Sequence, residues 1–275
     1  MPRNRRPRSW LDAAWTFLVV LVFVFLMLPL LVVFPISISS APYLQFPPPG
    51  FSWQWYQRYL DDPSWIDATW RSVQAATLCT ALAMGLGVPL SFMLVRSKLP
   101  GIKLLEKFAA TPIIVPTIVL SIAIYSIFSR LQLIGAWYGL AVAHAVLALP
   151  FVVILVGAGL RGFDQAQEQA AMGLGASWPR AVWRVTLPQL RPSLVSAAFL
   201  AFISSFDELV VAMFLSGASM TLPKKMFDNI MMEIDPTIAA VSVLQILLVG
   251  VCLGLIALFG RGAPGSGSLA TTMTR

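Results

Sequence analysis

Charge is what this chain lacks most. Of its 275 residues, 11% are charged and 58% are hydrophobic. A soluble domain carries about 25% charged residues, so a water-facing surface cannot be assembled from this composition, and a soluble globular protein is excluded. Cysteine is scarce as well. Cys79 and Cys252 both fall in apolar runs, which offers no disulfide framework and no metal ligand set; each reads as a small hydrophobe. Histidine occurs once, as His144. The stretch G-x-x-x-x-G-K-[ST] does not occur, so the chain carries no phosphate-cradling loop of its own. No internal repeat is visible, and low complexity is confined to the last residues, from Gly262.

What is present is apolar length. A helix needs about 20 apolar residues to cross a bilayer. Six such runs are read at 12–36, 67–95, 108–129, 137–159, 193–215 and 237–260. They predict an all-α polytopic membrane protein. Residues 1–11 form a basic N-terminus, 12–260 a six-helix membrane domain and 261–275 a flexible tail. The first run starts too late and is too long for a cleaved signal peptide, with no A-x-A-like site after it. It is expected to stay in the mature protein.

Lys and Arg set the orientation. Of the 19, 14 lie in the N-terminus, the 96–107 and 161–191 segments and the C-terminal tail, and five lie on the opposite side. Both termini and residues 161–191 are therefore expected to be cytoplasmic, with 37–66 and 217–236 external. The net charge of +7 follows from this bias and requires no nucleic-acid partner.

The first external segment contains "FSWQWYQRYL", a short helix with Ser52 as its N-cap residue. Trp53, Trp55, Tyr56, Tyr59 and Trp65 suit the membrane–water interface, where such rings are enriched; a binding surface is the other reading. In "TPIIVP", Pro112 and Pro116 remove backbone donors one turn apart, so the third span should bend there, either to serve a rocking motion or to shape packing. Gly85, Gly87, Gly135, Gly139, Gly157 and Gly159 read as close helix packing. His144 lies mid-span, where it is either a functional group or a hydrogen-bonding residue between helices.

The stretch "RGFDQAQEQAAMGLGASWPRAVWRVTLPQLRP", about 161–192, interrupts the apolar pattern. Asp164 can cap a helix running to about Gly173, and "GLGAS" ends it. Ser177 can cap a second short helix with Pro179 in its first turn. A helix, a tight glycine turn and another helix are expected on the cytoplasmic face. One reading is a plain connector. The other is a docking surface whose small residues let a partner's backbone approach.

This stretch resembles the EAA motif of ABC-importer permeases: EAA, three residues, Gly, nine residues, Ile, one residue, Leu-Pro. Here Gln169, Ala170 and Ala171 are followed by Gly175, Val185, Leu187 and Pro188 at matching spacing. Gln169 replaces the usual Glu and Val185 the usual Ile. Glu168 sits one residue early, about 100° away around a helix. The words "PPPGFSWQWYQRYLDDPSW", "SFDELVVAMFLSG" and "TLPKKMFDNIMMEIDPTIAAVSVL" are similar to the spermidine/putrescine branch of that family.

The resemblance implies a type I ABC-importer permease fold, multi-pass in the bacterial inner membrane. It implies coupling to a separate ATPase dimer through Glu168, Gln169, Ala170, Ala171, Gly175, Val185, Leu187 and Pro188. A second, related permease chain and an extracytoplasmic solute-binding protein complete the implied assembly within membrane lipid. No cofactor, metal or catalytic residue is expected, since ATP belongs to the partner subunit. The implied solute is a polyamine or another small cation. The alternatives are another small solute, such as an amino-acid derivative or an opine, or a secondary transporter. The latter class is built from repeated halves with broken helices, and no repeat is visible here. A membrane protein serving only assembly is the third class.

Asp207 and Glu208, in "FISSFDELVVAMF", are the candidate solute-path residues. On a continuous helix they lie about 21 Å into the fifth span. A central Asp costs roughly 2.5–3.5 kcal/mol on insertion scales, so a lipid-facing pair is disfavoured. Ser204, one turn earlier, can share their face. They either attract a cationic solute or pair with groups of a companion permease.

Overall fold

A computed structural model describes residues 10–232 and 234–260. The basic cluster Arg3, Arg5, Arg6 and Arg8 and the tail 261–275, both expected to be cytoplasmic, lie outside the described residues. Among those described, all regular structure is helical apart from one isolated antiparallel bridge between Ser39 and Phe51. The chain divides into two compact units. One takes the residues up to Asp62 together with Asn229–Leu247; the other takes Pro63–Asp228 together with the chain from Leu248.

In the first unit, α1 (Trp10–Ser37) is apolar all round, and Phe17, Val19, Phe25 and Leu31 are exposed. A uniformly hydrophobic exposed helix is at home in lipid. α2 (Gln54–Asp61) follows; its N-cap position is Trp53, which corrects the expected Ser52, whose hydroxyl accepts from the Gln54 amide at 3.2 Å from one residue further out. Trp55 and Tyr59 are buried, and the Trp55 indole donates to the Ser39 carbonyl at 2.8 Å. In the second unit Trp65 is 1% exposed. These three rings therefore pack inside the protein and correct the interfacial reading. Trp53 stays 66% exposed.

The second unit is built on α3 (Pro63–Arg96), α4 (Ile102–Ile114), α5 (Thr117–Arg130) and α6 (Trp137–Gly162). α7 (Gln165–Gly173), α8 (Trp178–Ala181), a single π-helical turn at Val182–Thr186, α9 (Leu187–Gln189), α10 (Arg191–Phe206) and α11 (Val210–Leu215) continue it. α12 (Leu222–Met232) and α13 (Thr237–Gly260) complete the order. The core lies where α3, α6 and α10 meet. It is made of small side chains, Cys79, Ala83, Ala145, Ala148, Ala197 and Ala201, with Val152 and Val156. Small residues let membrane helices approach closely without a hydrophobic driving force between them. A Cβ added at Gly87 would lie 2.7 Å from Val152 Cγ1. Gly139 and Gly159 are at least as tight, and a Cβ at Gly217 would lie 3.3 Å from the Gly135 Cα, whereas Gly85 faces open space, so packing does not account for Gly85.

Two expected spans are broken. α4 and α5 meet at 103°. Pro116 has no amide hydrogen to continue the helix, and it forces Val115 into extended backbone with ψ 130°. The expected bend is thus a full break two residues long. The fifth span ends at Phe206 and resumes at Val210. Among the described residues, four helices are long and apolar enough to cross a bilayer, or five if α4 and α5 count as one bent span; α10 has 16 residues.

Candidate functional site

The 161–192 segment folds as a helix, a turn and a second helical stretch. Asp164 Oδ1 accepts from the Ala166 amide at 3.0 Å and starts α7. Its C-terminus is closed by two backbone bonds. The Ala176 amide donates to the Ala171 carbonyl at 3.1 Å, and the Gly175 amide donates to the Met172 carbonyl at 2.9 Å. This pair is a Schellman cap, which needs a left-handed residue at Gly175, and its φ is +93°. Glycine is required there by backbone angle; a Cβ would meet nothing within 4 Å. Ser177 precedes α8 in extended conformation, but its hydroxyl makes no capping bond, which corrects that expectation.

Two faces separate along this segment. Gln169, Ala170, Gly175, Trp178 and Trp183 are exposed, and Leu174 at the turn is 91% exposed. Ala171, Val185, Leu187 and Pro188 are half-buried. Glu168 points the other way and is buried. Both its oxygens lie 2.7 Å from Arg96 Nη1 at the end of α3, and the Thr186 hydroxyl donates to Oε2 at 2.6 Å. Burial opposes the charge on Glu168. The Thr186 hydroxyl and the Arg96 guanidinium outweigh it and hold the carboxyl below its ordinary range.

The sequence reading missed Arg96 and Thr186. Arg96 had been counted only as one of many cytoplasmic cations, and nothing in spacing ties positions 72 residues apart.

The break in the fifth span brings a second group together. The Glu208 carboxylate accepts from the amides of Val210, Val211 and Ala212 at 3.1, 2.7 and 3.3 Å and so caps α11. His144, from α6, lies 2.8 Å from the Ser205 hydroxyl through Nδ1 and 3.6 Å from Glu208 Oε2 through Nε2. Asp207 is exposed. The Ser204 hydroxyl donates to the Ala201 carbonyl of its own helix at 3.1 Å. The helical register that was to place Ser204 on one face with Asp207 and Glu208 ends at Phe206, so that part of the expectation is corrected.

The family model for "binding-protein-dependent transport system inner membrane component" matches residues 83–262. The chain belongs to this family. It is a multi-pass inner-membrane permease of the ABC-importer class. Among its relatives, the spermidine/putrescine permease PotC of Haemophilus influenzae is 30% identical over 200 residues, 72% of this chain and 78% of that one. The putrescine permease PotI of Escherichia coli is 29% identical over 252 residues, 88% of this permease and 89% of that one. The molybdenum permease ModB of Mycobacterium bovis is 31% identical over 219 residues, 74% and 83% of the two chains.

Solved structures agree in fold. A bacterial ABC transporter importing alginate superposes with TM-score 0.74 at 18% identity, covering 94% of this permease and 99% of that chain. The MetNI methionine transporter superposes with TM-score 0.60 at 19% identity, over 73% and 96%.

Proposed function

We propose that this permease forms half of the membrane path of a binding-protein-dependent importer for a polyamine or another small cationic solute. Its 161–192 segment docks on a separate ATPase subunit. The observation that carries the docking reading is the Gly175 turn, capped by backbone bonds and topped by the 91%-exposed Leu174. A rigid turn with an exposed apolar tip suits insertion into a cleft of a partner, where a buried apolar anchor dominates binding. The permease turns over no nucleotide of its own, and ATP is bound by its partner.

The assembly contains an ATPase pair, a second, related permease and an extracytoplasmic solute-binding protein. Six spans are counted by taking α4 with α5 and α10 with α11 as one crossing each. Both termini face the cytoplasm. Single-cysteine labelling at position 175, in a background lacking Cys79 and Cys252, tests this orientation. An impermeant thiol reagent should label it only after the cells are permeabilised.

The cationic solute is supported by the polyamine relatives and by the exposed Asp207 at the break in span five. A free carboxylate beside an interrupted membrane helix attracts ammonium groups. Asp207 adds to relatedness here, because the molybdenum permease ModB also shares 31% identity over 219 residues. The experiment is uptake of labelled putrescine and spermidine by cells expressing the complete assembly, with molybdate as competitor. Saturable polyamine uptake unaffected by molybdate supports the reading; inhibition by molybdate with no polyamine uptake defeats it.

A further inference from the structure

We propose that Arg96 and Glu168 are the link through which the docking segment moves α3, making α3 the lever that converts ATPase closure into opening of the membrane path. The inference rests on the docking reading above and names its transmission point. Adjacent residues on a helix diverge by about 100°, and α7 uses that divergence. Gln169 faces outward toward a partner, while Glu168 faces inward and is buried. The outward position carries no charge in this chain; the carboxylate is turned onto the chain's own α3.

Three separate pieces of chain converge on that carboxylate. Arg96 is the last residue of α3, and its Nη1 reaches both Glu168 oxygens at 2.7 Å. Thr186, 0% exposed at the end of the π-helical turn, donates to Oε2 at 2.6 Å. The Arg96 guanidinium lies 4.9 Å from the Phe92 ring on its own helix and 5.9 Å from the ring of Phe163, the first of two residues between α6 and α7. Two cation–π contacts help to hold the guanidinium in place. The pair is charge-assisted, with Glu168 buried and Arg96 half-buried; it is made through Nη1 alone, while Arg96 Nε and Nη2 have no hydrogen-bond partner. The nearby Arg161–Glu106 pair is 59% and 54% exposed and supplies no comparable restraint. Besides the two-residue covalent link from α6, a shift of α7 against its partner thus has a side-chain route to α3, a helix of 34 residues and about 51 Å that packs on α6 and α10.

The test uses the full complex in proteoliposomes, with ATP hydrolysis and solute uptake measured on one preparation. The double variant Arg96→Gln with Glu168→Gln removes both charges, so neither is left buried and alone. Expected is an assembled complex that hydrolyses ATP near the unmodified rate but takes up about tenfold less solute per ATP, within the usual range of coupling effects. Each single variant should lose the same coupling, so that the two losses do not add. An assembled double variant with unmodified uptake per ATP would overturn the link, and so would a double variant that cannot assemble, since the pair would then be a folding element. Failure of the unmodified chain to retain an ATPase at all would strike the docking reading instead.

Discussion

His144 Nε2 lies 3.6 Å from Glu208 Oε2, and the other ring nitrogen lies 2.8 Å from the Ser205 hydroxyl. The ring is 1% exposed, so both nitrogens depend on these neighbours. If the hydroxyl donates to Nδ1, the proton sits on Nε2 and faces the carboxylate; the other tautomer would turn a lone pair toward a negative charge. α6 is thereby tied to α10 through Ser205, with Nε2 facing the Glu208 carboxylate beyond hydrogen-bond distance. His144→Leu should lower the unfolding free energy by about 1–2 kcal/mol, the cost of leaving buried polar groups unpaired. Thermal unfolding of the detergent-purified chain measures it. His144→Gln should lose less, because an amide still reaches one partner. Equal melting temperatures for the Leu variant and the unmodified chain would show that this cluster does not hold the break together.

Asp207 and Glu208 are neighbours with different work. Glu208 is bound by three backbone amides, whereas Asp207 is exposed. A capping side chain is worth about 1 kcal/mol when truncated to Ala. Glu208→Ala should therefore destabilise the chain by roughly that amount and reduce assembled complex. Asp207→Asn should leave melting and assembly unchanged and reduce uptake of a cationic solute through a higher KM. Matched expression levels, a melting curve and an uptake curve separate the two. A reversed pattern, with Asp207→Asn unstable and Glu208→Ala altering only KM, would remove this division.

The long apolar runs were legible because membrane solubility is written in composition, and the helix–turn–helix at 161–192 was legible because Asp164 and Gly175 act through local backbone rules. Both breaks were harder to see. Pro116 announced a bend, but a 103° angle depends on how α4 and α5 pack afterwards. The interruption at Asp207 carries no glycine or proline; it is held by the Glu208 carboxylate folding back on α11, which periodicity does not reveal. Arg96 with Glu168, and His144 with Glu208, are separated by 72 and 64 positions, and only the packed helices bring them together.

Acid should act on Glu168. Its folded carboxyl titrates below the ordinary glutamate range, through Thr186 and Arg96 outweighing burial. A depressed folded-state value means that the stabilisation is complete above the ordinary range and disappears as pH falls through the folded value. The melting temperature should therefore fall on acidification through that region. Glu168→Gln should already be lowered at neutral pH and should show a flatter acid limb. Parallel acid limbs for both proteins would place the titrating group elsewhere.

Gly175 gives the sharpest local prediction, because its φ of +93° and the empty space around it separate two causes. Left-handed backbone costs an ordinary L-residue roughly 1–2 kcal/mol, and Asn is among the few that tolerate it. Steric exclusion within the chain plays no part, since a Cβ meets nothing within 4 Å. Gly175→Asn should therefore keep the Schellman cap and retain the ATPase on co-purification. Gly175→Val, branched and unsuited to this φ, should loosen the turn and lose the ATPase. Gly175→Asp should fold and insert but fail to dock, because a charge beside Leu174 opposes burial of an apolar tip. Co-purification with the ATPase reads all three. If Asp behaves as Asn does, the turn is needed only for its backbone shape, and the tip at Leu174 does not enter a dry cleft.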